Sequence, residues 1–312
     1  MMRSPLSAIA IAITVAILGC VQISANAEAH RTTTVAPEFV PSLIQAMQGQ
    51  ADRSPRAKEL HRYLGTIHMV LQQDEDAIRE FTQVVRMDPQ NADAHHNLEV
   101  LYTQERHRKE ALKEAREAVL LEPNSAIFRL RCGLALWEME EKEASIRELH
   151  IAAQLDTTLY EPHCYLAEYL GKTNHPADEA EAEAREAVRL DPKAALAYTY
   201  LGRALIRNND YANAVAAVRT AAALEPTWEY PHYVLSKMFT QMKRLQDSVA
   251  EGRKAVERAP NEAYVHVQMG VALANMGKIA EARANWKRTL AIDPTDDSAD
   301  DARMLLDKYP VK

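Results

Sequence analysis

The sequence predicts an all-α solenoid built from repeated helix pairs, and two observations lead to this fold class. The first is a ladder of prolines at residues 55, 89, 123, 192, 226, 260 and 294, most of them 34 residues apart. The one long gap equals two periods plus one inserted residue, and Asp156-Thr157 stands where the missing proline is expected. A fixed period of this length indicates stacked copies of one supersecondary unit.

The second observation is the pattern inside one period, counted from 31 residues before each proline. Positions 7, 8 and 11 carry apolar residues around a small one, as in Leu201-Gly202-Leu205, which predicts a first helix with a face suited to close contact. Positions 20, 24 and 27 carry small or apolar residues, as in Ala214, Val218 and Ala221, and predict a second helix. The proline, usually preceded by Asp or Glu, ends that second helix.

This pattern resembles the tetratricopeptide repeat family, whose signature has Leu-Gly at positions 7 and 8, Ala at 20 and 27, and Pro at 32. The resemblance implies a right-handed α-solenoid of seven helix pairs. The predicted repeats are residues 58–91, 92–125, 126–159, 160–194, 195–228, 229–262 and 263–296. The fourth repeat departs from the pattern by one extra residue around Thr173-Asn174-His175-Pro176, which is expected to enlarge its inter-helix turn.

Both ends of the array are predicted to be covered by single helices. Residues 38–57 are interpreted as a degenerate half repeat, with Leu43 and Met47 at positions 20 and 24. Residues 297–312 are interpreted as a capping helix with one apolar face and a polar outer side, because terminal repeats need such a cover. That apolar face consists of Ala302, Leu305, Leu306 and Tyr309.

Residues 1–27 are interpreted as a secretory signal peptide. Arg3 is followed by an apolar run from Leu6 to Gly19, and Ala25-Asn26-Ala27 fits a cleavage site. An alternative is that Ile17-Leu18-Gly19-Cys20, which resembles a bacterial lipobox, directs a lipid to Cys20. Either interpretation predicts export to the periplasm or cell envelope, with residues 28–37 as a disordered linker.

The composition limits the classes of partner. The formal net charge is −7, which argues against a nucleic-acid binder and against electrostatic binding to membranes. Cys132 and Cys164 are expected to be ordinary core or groove thiols, although a disulfide is the alternative in an oxidising compartment.

The sequence indicates no catalytic, metal or cofactor site. It contains no HExxH, CxxC, GxSxG or phosphate-binding glycine loop. Five repeats carry His at position 4, but equivalent positions of stacked helices are about 10 Å apart. Because zinc ligands must approach to about 2 Å, these histidines are expected to fill space rather than share an ion. We therefore expect a protein that is not an enzyme and takes no small-molecule substrate.

The resemblance to the family implies that positions 2, 5, 9, 12 and 13 line a concave groove. In repeats 5 to 7 these positions bring cations and tyrosines together, a combination suited to acidic and apolar groups of a protein segment. The predicted binding residues are Arg203, Arg207, Lys237, Tyr230, Tyr233 and Tyr264. One alternative is that they only maintain solubility and packing, and a second is that binding uses the apolar stretch of repeat 3, namely Ile127, Leu130, Leu134 and Trp137.

The leading functional interpretation is a non-catalytic exported adaptor or scaffold that binds a protein or peptide in its groove. The alternative is a lipid-anchored subunit of an envelope assembly for outer-membrane biogenesis, a pilus or secretion, which requires a lipid on Cys20. An enzyme or metal carrier is the third hypothesis, for which the sequence shows no chemistry.

Overall fold

A computed structural model describes residues 40–51, 57–295 and 297–310. The predicted signal peptide, Cys20 and the linker at residues 28–37 lie outside these ranges, as does the side chain of Leu43. No helix within the described ranges combines the length and the apolar character needed to cross a bilayer.

The described residues form sixteen α-helices and no strands, which confirms the predicted all-α class. The described residues divide into two compact units, unit 1 up to Leu155 and unit 2 from Asp156 onwards. Unit 1 contains α1 (Val40–Ala51), α2 (Ala57–Val70), α3 (Asp74–Met87), α4 (Ala92–Gln104), α5 (Arg108–Leu121), α6 (Ala126–Glu138) and α7 (Lys142–Leu155). Unit 2 contains α8 (Glu161–Lys172), α9 (Ala177–Leu190), α10 (Ala195–Arg207), α11 (Tyr211–Leu224), α12 (Tyr230–Gln241), α13 (Leu245–Arg258), α14 (Ala263–Asn275), α15 (Ile279–Ile292) and α16 (Asp297–Lys308).

Within each unit the helices pack as pairs in chain order: α2 with α3, α4 with α5 and α6 with α7 in unit 1, and α8 with α9 through α14 with α15 in unit 2. Six of these seven pairs are joined by a turn of three residues. The middle residue of each of these turns has a positive φ, for example 59° at Asn209 and 77° at Gly277. One left-handed residue reverses the chain within so short a turn.

The fourth pair differs because its turn has four residues, Thr173 to Pro176, as the extra residue in the sequence predicts. No described residue of this turn has a positive φ. Instead, the Thr173 hydroxyl donates to the carbonyl of Tyr169 at 3.0 Å and lies 2.8 Å from Nδ1 of His175. A side-chain hydroxyl thus organises the longer turn.

Glycine at position 8 allows the two helices of a pair to approach closely. A Cβ atom added to Gly65 would lie 2.7 Å from the ring of Phe81, which is fully buried in α3. Gly270 of α14 faces the fully buried Trp286 of α15 in the same way. The missing side chain at position 8 therefore makes room for the large residue at position 24.

Single helices cover the described ends of the two units. In unit 1, Met47 of α1 is buried and packs in one cluster with Leu64 and Ile67 of α2. In unit 2, α16 buries Ala302 in the cluster of Trp286, against which Leu305, Leu306 and Tyr309 also pack. The predicted capping helix is confirmed.

Cys132 and Cys164 are free, buried thiols. Burial raises the pKa of Cys132 to about 12 and raises the pKa of Cys164 as well, so neither thiol is reactive at neutral pH. Their burial is what the sequence predicts for core residues.

Candidate functional site

The first helices of the pairs form a continuous layer in unit 2. Helix α8 contacts α10, α10 contacts α12, α12 contacts α14, and α14 contacts α16. No contact of similar extent joins successive second helices in the described part of unit 2. The first helices therefore lie on the inner side, where their side chains converge on a common surface.

A row of aromatic rings runs along this layer, and we call it the tyrosine face. The ring centroids are 6.2 Å apart between Tyr165 and Tyr200, 5.7 Å between the stacked Tyr230 and Tyr233, and 4.9 Å between the edge-to-face Tyr233 and Tyr264. Trp228 extends the row at 5.5 Å from Tyr230. Such offset and edge-to-face contacts hold the rings in defined orientations. Tyr200 is buried, whereas Tyr165, Tyr230, Tyr233 and Tyr264 are half-buried.

An ion pair lies at the centre of the tyrosine face. The carboxylate of Glu168 in α8 accepts from Nη2 of Arg203 in α10 at 2.8 Å and from Lys172 at 2.8 Å. Nη1 of Arg203 donates to the Tyr230 hydroxyl at 2.5 Å. Only 7% of the Glu168 side chain and 27% of the Arg203 side chain are exposed. Burial raises the pKa of Tyr230 to about 12, so its hydroxyl stays protonated and can donate to a ligand.

Lys237 of α12 lies near this network but takes no part in its hydrogen bonds. It is exposed and forms no hydrogen bond or ion pair with the described residues. Partial desolvation and the nearby Arg203 charge lower its pKa. Both effects oppose the charged form, so an anionic group placed beside Lys237 would relieve the repulsion.

Arg207 lies apart from this network and makes local contacts that the sequence did not predict. Its guanidinium donates to the carbonyl of Leu170 at 3.0 Å and to that of His175 at 3.3 Å. These carbonyls belong to the end of α8 and to the longer turn after it. Arg207 therefore caps α8 and supports that turn.

Tyr264, at the other end of the row, is anchored by a carboxylate. Its hydroxyl donates to Glu229 at 2.6 Å, across the 35 residues that separate them. Burial, followed by this hydrogen bond, raises the pKa of Tyr264. Of the predicted residues, the structure thus brings Arg203, Lys237, Tyr230, Tyr233 and Tyr264 together.

Sequence reasoning missed three residues of this surface, namely Glu168, Tyr165 and Tyr200. Glu168, Arg203 and Lys237 occupy position 9 of three consecutive repeats, so reading that position across the repeats would have found the carboxylate. Tyr165 and Tyr200 both occupy position 6, which is not one of the groove positions that the family resemblance implies.

The alternative apolar stretch lies in unit 1, on α6. Ile127 is 53% exposed, whereas Leu130, Leu134 and Trp137 are half-buried. Beside it, Arg131 donates to both oxygens of the buried Glu99 at 2.8 Å. The stretch is accessible, but it presents one large exposed side chain rather than an ordered row.

Four of the five position-4 histidines bind carboxylates instead of merely filling space, and His266 contacts the amide of Asn285. His61, His95, His163 and His232 each place Nδ1 2.6 Å from a glutamate at position 23 of the same repeat. Those glutamates are Glu80, Glu114, Glu183 and Glu251. Among the described residues, no cluster of three His, Cys, Asp or Glu side chains is arranged to hold a metal ion.

Comparison with known proteins supports this architecture. The family model described as "Tetratricopeptide repeat" matches residues 166–228, which include α9, α10, α11 and the second half of α8. A search of curated protein sequences gives no match.

Several solved structures share the fold. A tetratricopeptide repeat protein from Parabacteroides merdae aligns with a TM-score of 0.67 and 11% identity over 80% of this chain and 99% of its own. Yeast Tom70 aligns with a TM-score of 0.61 and 15% identity over 90% of this chain and 61% of its own. The pilF protein of Pseudomonas aeruginosa aligns with a TM-score of 0.54 and 19% identity over 67% of this chain and 95% of its own. At these identities the likeness concerns the fold.

Proposed function

Because the chain is a tetratricopeptide-repeat protein, a helical scaffold suited to protein–protein interaction, we propose that it is a non-catalytic adaptor that binds a segment of another protein. The proposed contact surface is the tyrosine face with Arg203 and Lys237. The single observation that carries this proposal is the exposed Lys237 beside an ordered row of tyrosines.

The chemistry of the surface indicates what the segment contains. Tyr230, Tyr233 and Tyr264 offer ring edges and faces to apolar side chains, with little side-chain entropy to lose on binding. Lys237 offers an unshared positive charge to a carboxylate, and a charge-assisted hydrogen bond of this kind contributes about 1.5–3 kcal/mol. We therefore expect an acidic residue next to apolar or aromatic residues.

The two arginines have different roles in the proposed complex. Arg203 already shares its charge with Glu168, so it orders Tyr230 and offers a partner only its remaining N–H groups. Arg207 donates to backbone carbonyls and holds the end of α8 in place. Lys237 is thus the cation most available to a partner carboxylate.

We propose further that the adaptor acts in the cell envelope after export. This proposal rests on the sequence of residues 1–27, where an apolar run precedes a cleavage site, with lipidation at Cys20 as the alternative route.

Selection of binding peptides from a random displayed library tests the proposal, since the natural partner need not be identified first. The selected sequences should combine an acidic residue with aromatic or large apolar residues. These peptides should protect the amides of α10, α12 and α14 from hydrogen exchange. Protection confined to α6 would move the site to the stretch around Leu130 and Trp137.

A further inference from the structure

The residue at position 4 joins the two helices of its own repeat in six of the seven repeats. Four repeats use the His–Glu contacts at 2.6 Å described above. The third repeat uses Arg129, whose Nη1 donates to Glu148 at 2.8 Å, and the seventh places His266 3.3 Å from the amide oxygen of Asn285. The chain therefore contains a titrating pair, a permanently charged pair and a pair without a carboxylate at the same structural position.

In three repeats the same residue also reaches back to a proline of the ladder. Nε2 of His95 lies 3.2 Å from the carbonyl oxygen of Pro89, and Nε2 of His266 lies 3.0 Å from that of Pro260. In the third repeat, Nε of Arg129 donates to the carbonyl of Pro123 at 2.9 Å. Position 4 thus links three segments: the preceding turn, its own helix and the second helix of the pair.

His95 is the residue at which this geometry depends on protonation. Both of its neighbours, the Glu114 carboxylate and the Pro89 carbonyl, accept hydrogen bonds and cannot donate. A neutral imidazole carries one N–H and can satisfy only one of them, whereas an imidazolium satisfies both. Arg129 makes the equivalent two contacts with a charge that does not titrate.

The charges around His95 favour the imidazolium. The hydrogen bond that His95 donates to Glu114 raises the pKa of His95 above 6.5, against the opposing effect of burial, and the charges of Glu114 and Glu117 add to it. These strongest charged neighbours both lie on α5. Burial opposes the ionisation of Glu114, but hydrogen bonds from His95 and Lys113 outweigh it and lower the pKa of that carboxyl. Glu114 therefore remains the anion throughout the range in which His95 titrates.

We propose that His95 is a proton-controlled brace of the second helix pair, which locks α4 to α5 and to the turn at Pro89 only when its ring is doubly protonated. The sign follows from linkage: a raised pKa in the folded state means that the added stability is fully present below 6.5. It is lost as the pH rises through the folded pKa. Unit 1 is thus more firmly held in mildly acidic solution than in alkaline solution.

Histidine-selective NMR and pH-dependent hydrogen exchange on the full chain test the proposal. The H95Q variant identifies the His95 resonance by its disappearance, and that resonance should titrate above 6.5 in the wild type. Amide protection in α4 and α5, corrected for the intrinsic exchange rate, should fall on going from about pH 6 to about pH 8. The fall should be at most about tenfold for each unit by which the folded pKa is raised.

Two variants serve as controls: one introduces at position 95 the residue that the third repeat has at position 4, and the other changes the histidine of the seventh repeat. H95R copies Arg129 and should keep α4 and α5 protected at both pH values, whereas H266Q, at the pair without a carboxylate, should leave their pH dependence unchanged. A His95 resonance that titrates at or below 6.5, or an H95R protein that keeps the wild-type pH dependence, would overturn the proposal.

Discussion

The carboxylate of Glu168 lies 2.8 Å from the guanidinium of Arg203, which occupies the same position in the next repeat. The ion pair ties α8 to α10, and the hydrogen bond from Arg203 to Tyr230 extends the link to α12. Three successive inner helices are therefore joined beneath the tyrosine face. Because Glu168 compensates the charge of Arg203, Lys237 is the exposed cation of the tyrosine face without an ion-pair partner among the described residues.

The first prediction concerns this pair. Replacing Glu168 with Gln leaves Arg203 partly buried without its anion, and we expect unit 2 to lose roughly 1–3 kcal/mol of unfolding free energy. Chemical denaturation followed by circular dichroism measures the loss. Glu186 provides a matched control because its contact with Arg189 is largely exposed. E186Q should cost less than about 1 kcal/mol, and equal losses in the two variants would contradict a central role for the Glu168–Arg203 pair.

The second prediction separates the ring of Tyr233 from its hydroxyl. The ring contacts Tyr230 and Tyr264, while the hydroxyl forms no hydrogen bond with the described residues. Y233F should therefore change the unfolding free energy by less than about 0.5 kcal/mol, and Y233A should reduce it by about 1–3 kcal/mol. A large loss in Y233F, measured by denaturant titration, would show that the hydroxyl has a structural partner.

The third prediction concerns the close approach of paired helices. G65A places a Cβ atom 2.7 Å from the Phe81 ring, so we expect a loss of about 1–3 kcal/mol from overpacking. Gly49 is the control, since nothing lies within 4 Å of its added Cβ. G49A should instead stabilise the protein by about 0.5–1 kcal/mol through helix propensity. The two substitutions should thus shift the thermal midpoint in opposite directions, and a shift of the same sign would refute the packing argument.

The fold was predictable because its determinants recur at fixed positions. The Leu-Gly pair, the small residues of the second helix and the closing proline act locally in each repeat, so their spacing alone predicts the helix pairs. The His95–Glu114 contact was equally visible in principle, since His at position 4 and Glu at position 23 recur with a separation of 19 residues. Position 4 taken by itself predicts only space-filling rings, because the glutamate partner lies on the other helix of the pair.

The contacts of Arg203 and Arg207 were harder to predict. Whether a groove arginine meets a partner or the chain itself depends on the residue beside it in the next helix, and Glu168 decides this for Arg203. Arg207 reaches the carbonyl of His175 in the four-residue turn of repeat 4, whose longer path results from the inserted residue. The insertion is visible in the sequence, but the position of the His175 carbonyl that accepts from Arg207 is not.

The fourth prediction concerns export, which rests on residues 1–27 alone. If they form a cleaved signal peptide, the mature protein recovered from its native host begins at Glu28. If the lipobox is used, it begins at Cys20 and carries a lipid. Amino-terminal sequencing combined with intact-mass analysis distinguishes the two, and a chain that retains Met1 would contradict both routes.

The most direct test of the proposed binding surface is the affinity of one library-selected peptide for two charge-reversal variants. K237E reverses the charge of the exposed cation of the tyrosine face. K243E makes the same change in the turn that follows α12 and serves as the control. Glutamate is tolerated there, since Glu140 has the same positive φ at the equivalent position of the third repeat. Isothermal titration should show a dissociation constant raised at least about tenfold for K237E, since a lost charge-assisted contact is worth about 1.5–3 kcal/mol. It should show little change for K243E. Equal affinities of wild type and K237E would contradict the assignment of this surface as the binding site.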